Sequence, residues 1–175
     1  RKNYIMTNEK GEFHPATCNY YKETDWDKIR NVLTFISEKR PEIKVAVIDT
    51  ITYAMIAEFM AKAKITGYSK FTEMGSNVYT TLKMIDGLRE DLTVIVCAHT
   101  DYEEENGVGM SVFAVPGGKL VKDVVKPVGM FLITLETKVK KVGEDVEYKF
   151  MVSNNTTNMA KVPAGIFATN KIDND

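Results

Sequence analysis

The sequence holds only two cysteines, Cys18 and Cys97, too few for the disulfide framework of a small secreted domain. Cys97 sits inside an apolar run, which fits a small core hydrophobe in a reducing, cytoplasmic compartment. Charge of one sign is equally scarce. Lys and Arg total 23 against 24 Asp and Glu, leaving a net charge of -1. Bulk charge therefore does not recruit nucleic acid, and any DNA contact needs a local basic patch or a groove shared with a neighbouring subunit. No apolar run approaches the roughly 20 residues that span a bilayer, and no signal peptide is visible, so no membrane partner is expected. Several chemical motifs are missing as well. There is no C-x-x-C zinc pattern and no G-x-S-x-G elbow for a serine nucleophile. The phosphate-cradling loop G-x-x-x-x-G-K-[ST] is also absent: Leu120 follows Gly118-Lys119, and Phe113 stands five positions before Gly118.

What is present reads as one α/β domain over residues 1–175. Short extended pieces are expected around Tyr4-Ile5-Met6 and Tyr20-Tyr21, with a turn at Lys10-Gly11. Thr24 or Asp25 caps a helix whose apolar stripe is Trp26, Ile29, Val32, Leu33 and Ile36, and Pro41 stops it. Val45-Ala46-Val47-Ile48 follows as a fully buried strand ending in Asp49. An apolar helix begins at Ile51, and a second, from about Lys70 to Arg89, carries Met74, Val78, Leu82, Ile85 and Leu88 on one face. A second buried strand covers 93–99 and ends in His99. The acidic stretch 101–107 reads as an exposed loop. Pro116-Gly117-Gly118-Lys119 opens a short helix ending near Pro127. Alternating residues at 130–139 and 146–152 predict an antiparallel hairpin, and Val162-Pro163-Ala164-Gly165-Ile166-Phe167 a turn that returns the chain to the sheet.

In parallel sheets ligands sit at the carboxyl ends of the strands. Two neighbouring strands ending in Asp49 and His99 therefore predict a phosphate-and-magnesium site at a common rim. Magnesium prefers carboxylate and water, so Asp49 could hold a metal-bound water beside a triphosphate, with the Thr50 hydroxyl in the same shell. His99 could hydrogen-bond a γ-phosphate or an attacking water in either tautomer. The alternative is structural: Asp49 N-caps the next helix and His99 is a locally satisfied edge residue.

Particular segments resemble bacteriophage RecA-like ATP-binding proteins, the P-loop NTPases grouped as AAA-family or Sak-type single-strand annealing ATPases. They are Glu38-Lys39-Arg40-Pro41-Glu42-Ile43-Lys44 through Ile48-Asp49-Thr50, Gly67-Tyr68-Ser69-Lys70-Phe71-Thr72-Glu73-Met74-Gly75, and Leu88-Arg89-Glu90-Asp91-Leu92-Thr93-Val94. Asn154-Asn155 and Lys161-Val162-Pro163-Ala164-Gly165-Ile166-Phe167 look similar too. The resemblance implies a RecA-like P-loop NTPase core: a mostly parallel central sheet flanked by helices, with a C-terminal antiparallel hairpin. It implies ATP and Mg2+ as ligands, homo-oligomers, and a role with single-stranded DNA in phage recombination or replication, in the host cytoplasm. Asp49 would be the catalytic metal-binding acid and His99 the residue ending the following core strand. Lys161, or Lys119, would reach a neighbouring subunit's nucleotide. The family's phosphate-binding loop precedes the Asp-bearing strand by many tens of residues. The first residue here is Arg1, so that N-terminal unit is expected upstream, in a longer protein.

Two other readings remain. One is a non-catalytic DNA-binding or assembly module of the same shape, with Lys138, Lys140, Lys141 and Lys149 contacting phosphates. The other is a metal-dependent hydrolase using Asp49, His99 and the acids at 101–105.

Overall fold

The computed structural model describes residue 14, residues 16–116, 119–155 and 157–167, and the backbone of 171–173. Tyr4-Ile5-Met6, the Lys10-Gly11 turn and Gly117-Gly118 lie outside the described residues. The chain is mixed α/β with small sheets, and it divides into two compact units. The first spans 1–98 and 115–125, the second 99–114 and 126–175.

In the first unit, α1 (Trp26–Lys39) starts at Asp25, whose carboxylate accepts from the Lys28 N–H at 3.0 Å. Such a cap is worth about 1 kcal/mol. The expected stripe faces inward, with Trp26 and Leu33 buried. β1 (Val45–Ile48) leads into α2 (Ile51–Ala61) and α3 (Ser69–Met84) before β2 (Thr93–Val96). Met74, Val78 and Leu82, spaced at four residues, form the buried face of α3. Among these buried positions Gly75 lets the Leu120 side chain approach closely, since a Cβ there would stand 2.3 Å from its Cδ2. The three helices are tied by Glu58, which accepts from the Trp26 indole N–H at 2.6 Å, the Asn77 amide at 2.8 Å and Lys62 at 2.5 Å.

β1 and β2 pair in parallel, Val45 opposite Thr93 through Ile48 opposite Val96. Two features depart from the sequence reading. The strands are not buried on both faces. Leu33 of α1 and Leu92 pack around Ala46, joined by Ile48 and Val94, on one face only. On the other face Val45, Val47 and Ile95 are 51%, 57% and 46% exposed. The parallel sheet also contains two strands among the described residues rather than forming a large central sheet. An unbroken apolar run cannot report which of its faces the neighbouring elements cover.

In the second unit, β3 (Thr100–Glu105) and β4 (Val108–Phe113) form an antiparallel hairpin. The acidic stretch expected as a loop is thus its first strand. Asn106 and Gly107 both have positive φ, 53° and 77°, which the tight turn requires. The expected short helix is present as a helical stretch over residues 119–125 of the first unit, π-type over Val121–Val125, and a 3-10 turn covers Pro127–Met130 in the second. A C-terminal hairpin is present as β5 (Glu136–Val142) and β6 (Asp145–Met151), its first strand beginning six residues later than the expected 130, with β7 (Lys171–Asp173) added beside β6. Glu136, 6% exposed, accepts from the Ser111 hydroxyl at 2.9 Å and the Met159 N–H at 3.0 Å, and pairs with Lys138 at 2.5 Å. Burial pushes its carboxyl up, but these three donors outweigh burial and hold it below the ordinary value. Among the described residues no helix is long and apolar enough to cross a membrane.

Candidate functional site

The parallel pair fixes a carboxyl edge in the first unit. The Cys97 N–H donates to the Ile48 carbonyl at 2.9 Å, and the Ile51 N–H donates to the Cys97 carbonyl at 3.0 Å. The start of α2 is thereby fastened to the end of β2, with Asp49 and Thr50 between the two bonds. The peptide joining Asp49 to Thr50 is cis.

Asp49 is exposed. It does not cap α2: the N-cap residue is Thr50, which itself makes no side-chain capping bond. Among the described residues the Asp49 carboxylate makes no hydrogen bond or ion pair within the chain. The Thr50 hydroxyl is buried and has no hydrogen-bond partner among the described residues. Buried polar groups are nearly always partnered, so an orphan hydroxyl beside a free carboxylate is an unusual pair for purely structural residues. Across the edge lies Cys97, a residue that sequence reasoning placed in the core. Burial, and then the negative charge of Asp49, push its thiol up, which keeps it protonated and unreactive. The position of Cys97 opposite Asp49 follows from strand register, which the sequence did not reveal.

The edge offers oxygen donors, the chemistry that Mg2+ takes. One carboxylate and one hydroxyl fit an ion that keeps several waters and is carried mainly by substrate phosphates. Among the described residues, no three His, Cys, Asp or Glu side chains come together as a metal group.

The other predicted site residues are distributed as follows. β2 ends at Val96, three residues before His99. His99 is exposed, opens the second unit just before β3, and its carbonyl accepts from the Ala114 N–H at 3.0 Å. Lys119 is exposed in the first unit, next to Leu120. Lys161 lies in the second unit and exchanges both backbone hydrogen bonds with Thr134, at 2.7 and 2.8 Å. Its ammonium lies 3.4 Å from the Val128 carbonyl and 3.5 Å from that of Gly129. It edges a shallow cavity of about 530 Å3 walled by Met130, Phe131, Leu132, Val162 and Pro163. The structure thus brings Asp49 and Thr50 together at one edge; His99 and Lys161 belong to the other unit.

No family model matches the chain, and neither a curated protein nor a solved structure matches it.

Proposed function

We propose that the chain is part of a RecA-like P-loop ATPase core of phage type that acts on single-stranded DNA in recombination or replication as a homo-oligomer. The observation that carries this reading is the Asp49–Thr50 edge: an uncommitted carboxylate and an orphan hydroxyl at the carboxyl end of a parallel strand. Ligands of open parallel sheets bind at that end. The exposed second face of the β1–β2 pair also supports it, because parallel strands belong to sheets covered on both sides.

In this reading Asp49 holds a water of an ATP-borne Mg2+, and Thr50 turns its hydroxyl to the same shell. The metal, when bound, neutralises charge developing on the transferred phosphoryl group. Lys161, or Lys119, supplies positive charge to a neighbouring copy's nucleotide. The phosphate-cradling loop has no counterpart within residues 1–175.

The test is magnesium-dependent ATP hydrolysis by the protein. Asp49→Ala should slow turnover at least about 100-fold, the scale of losing one electrostatic group aimed at the reacting centre, with the circular dichroism spectrum unchanged. An undiminished rate rejects the role of Asp49. A second reading, a non-catalytic DNA-binding module of the same fold, draws on the lysines of the β5–β6 ribbon.

A further inference from the structure

The β5–β6 register sorts the ribbon into two unlike faces. Lys138 stands directly opposite Lys149, and Lys140 opposite Glu147. These four side chains, with Met151, line a cleft of about 170 Å3. Like charges directly opposite one another destabilise a strand pair. Glu136 and Glu147 offset the charge of Lys138 and Lys149 respectively. Lys140 has no ion pair among the described residues. Lys140 is thus the ammonium of the cleft left open to an anion among the described residues, with the paired Lys138 and Lys149 beside it, and Glu144 and Asp145 at the turn mark the limit of the strip.

The opposite face carries Tyr148 directly across from Val139, 55% and 64% exposed, beside Val146 and Lys141. A tyrosine ring on an open apolar ladder is a stacking surface. Among the described residues β5 pairs only with β6, so the strip runs along a free edge. Lysines along an edge strand oppose addition of another strand, which argues against a protein strand or a second copy as occupant. Phosphates on one face and unstacked bases over the edge onto the other match the charge and the apolar surface together.

We propose that the β5–β6 ribbon binds single-stranded nucleic acid, with Lys138, Lys140 and Lys149 on the phosphates and Tyr148 under a base. This rests on the single-strand part of the functional reading and is independent of the Asp49 edge. The experiment is fluorescence anisotropy of a labelled oligo-dT titrated with the 175-residue chain over a series of salt concentrations, without nucleotide. Lys140→Gln should weaken binding and reduce the salt slope by about 0.7, one phosphate contact on a single strand. Tyr148→Ala should weaken binding about tenfold at an unchanged slope. Lys138→Gln removes a partner of Glu136, so Lys140→Glu serves as the second charge variant, checked for fold by circular dichroism. Binding by the parent that Lys140→Gln, Lys140→Glu and Tyr148→Ala leave intact overturns the ribbon and spares the wider reading. Absence of any oligo-dT binding by the parent overturns the ribbon and the single-strand partner together.

Discussion

Glu23 illustrates how much a single side chain can do at the head of a helix. Its carboxylate accepts the N–H groups of Thr24 at 2.9 Å and Asp25 at 3.1 Å, and pairs with Lys28 at 3.1 Å. The two backbone donors, then Lys28, lower its pKa to about 2 against the opposing effect of burial. A carboxylate whose pKa is depressed by folding adds stability above its unfolded value, near 4.3, and loses it as pH falls through the folded value. Acid titration should therefore loosen the start of α1 between about pH 4 and about pH 2. In Glu23→Gln that component of the pH dependence should vanish, read as amide exchange of residues 24–28 against pH. An identical acid profile in the variant rejects it. The sequence offered Thr24 or Asp25 as the cap because Ser, Thr, Asp and Asn mark helix starts, and the structure takes Asp25. It was silent on Glu23, whose role depends on how the chain bends just before the helix. The same limit applies to Asp49 and Thr50. Their place at a strand end was legible, but which of them caps α2 follows from the backbone path.

At the scale of elements, Arg89 holds the end of α1 to the strand that follows. Its guanidinium donates to the carbonyls of Ile36 at 2.6 Å and Ser37 at 3.2 Å, to that of Ile43, and to Asp91 at 2.8 Å. The carbonyls at a helix C-terminus lack intrahelical partners and carry the negative end of the dipole, so a fixed cation there is favourable. Arg89→Ala should cost about 2–3 kcal/mol in urea denaturation, since charged hydrogen bonds are lost and the carbonyls of Ser37 and Ile43 lose their guanidinium donor. Arg89→Lys should recover less than half, because a point charge cannot serve divergent acceptors as the planar fork does. A midpoint unchanged in Arg89→Ala would refute the clamp. The helices were legible in the sequence because their burial period is local: Trp26, Ile29, Leu33 and Ile36 repeat within one turn of one another. β6 was legible for a like reason, from alternation over 146–152, whereas the alternation read over 130–139 lies mostly before β5, which starts at Glu136. β3 was not, because its side chains are mostly acidic and no apolar alternation survives. The one usable signal was Asn106-Gly107, a dipeptide suited to the positive φ values of a tight hairpin turn. β7 pairs with β6 about 20 residues after it, and nothing local in Lys171–Asp173 specifies that pairing.

For the molecule as a whole, the decisive surface is the second face of the β1–β2 pair. Val45, Val47 and Ile95 form a contiguous apolar patch because Val47 lies opposite Ile95 in the parallel register. Both strands also present unpaired outer edges among the described residues. A parallel sheet is ordinarily covered on both faces, and an apolar face with open edges is a template for association. The chain should therefore self-associate with rising concentration, seen as a growing weight-average mass in sedimentation equilibrium. Val47→Thr with Ile95→Thr keeps the β-branched shape that a strand favours while adding a hydroxyl to each side chain. Those changes touch an exposed face, so the melting temperature should hold nearly constant while the mass falls toward that of one chain. Loss of melting temperature with no change in mass would mean that the two residues act in folding, and a parent that remains a monomer would mean that the patch drives no assembly. The surface is a consequence of composition as much as of topology: Val45 through Ile48 is apolar at every position, so whichever face α1 and α3 leave uncovered is hydrophobic.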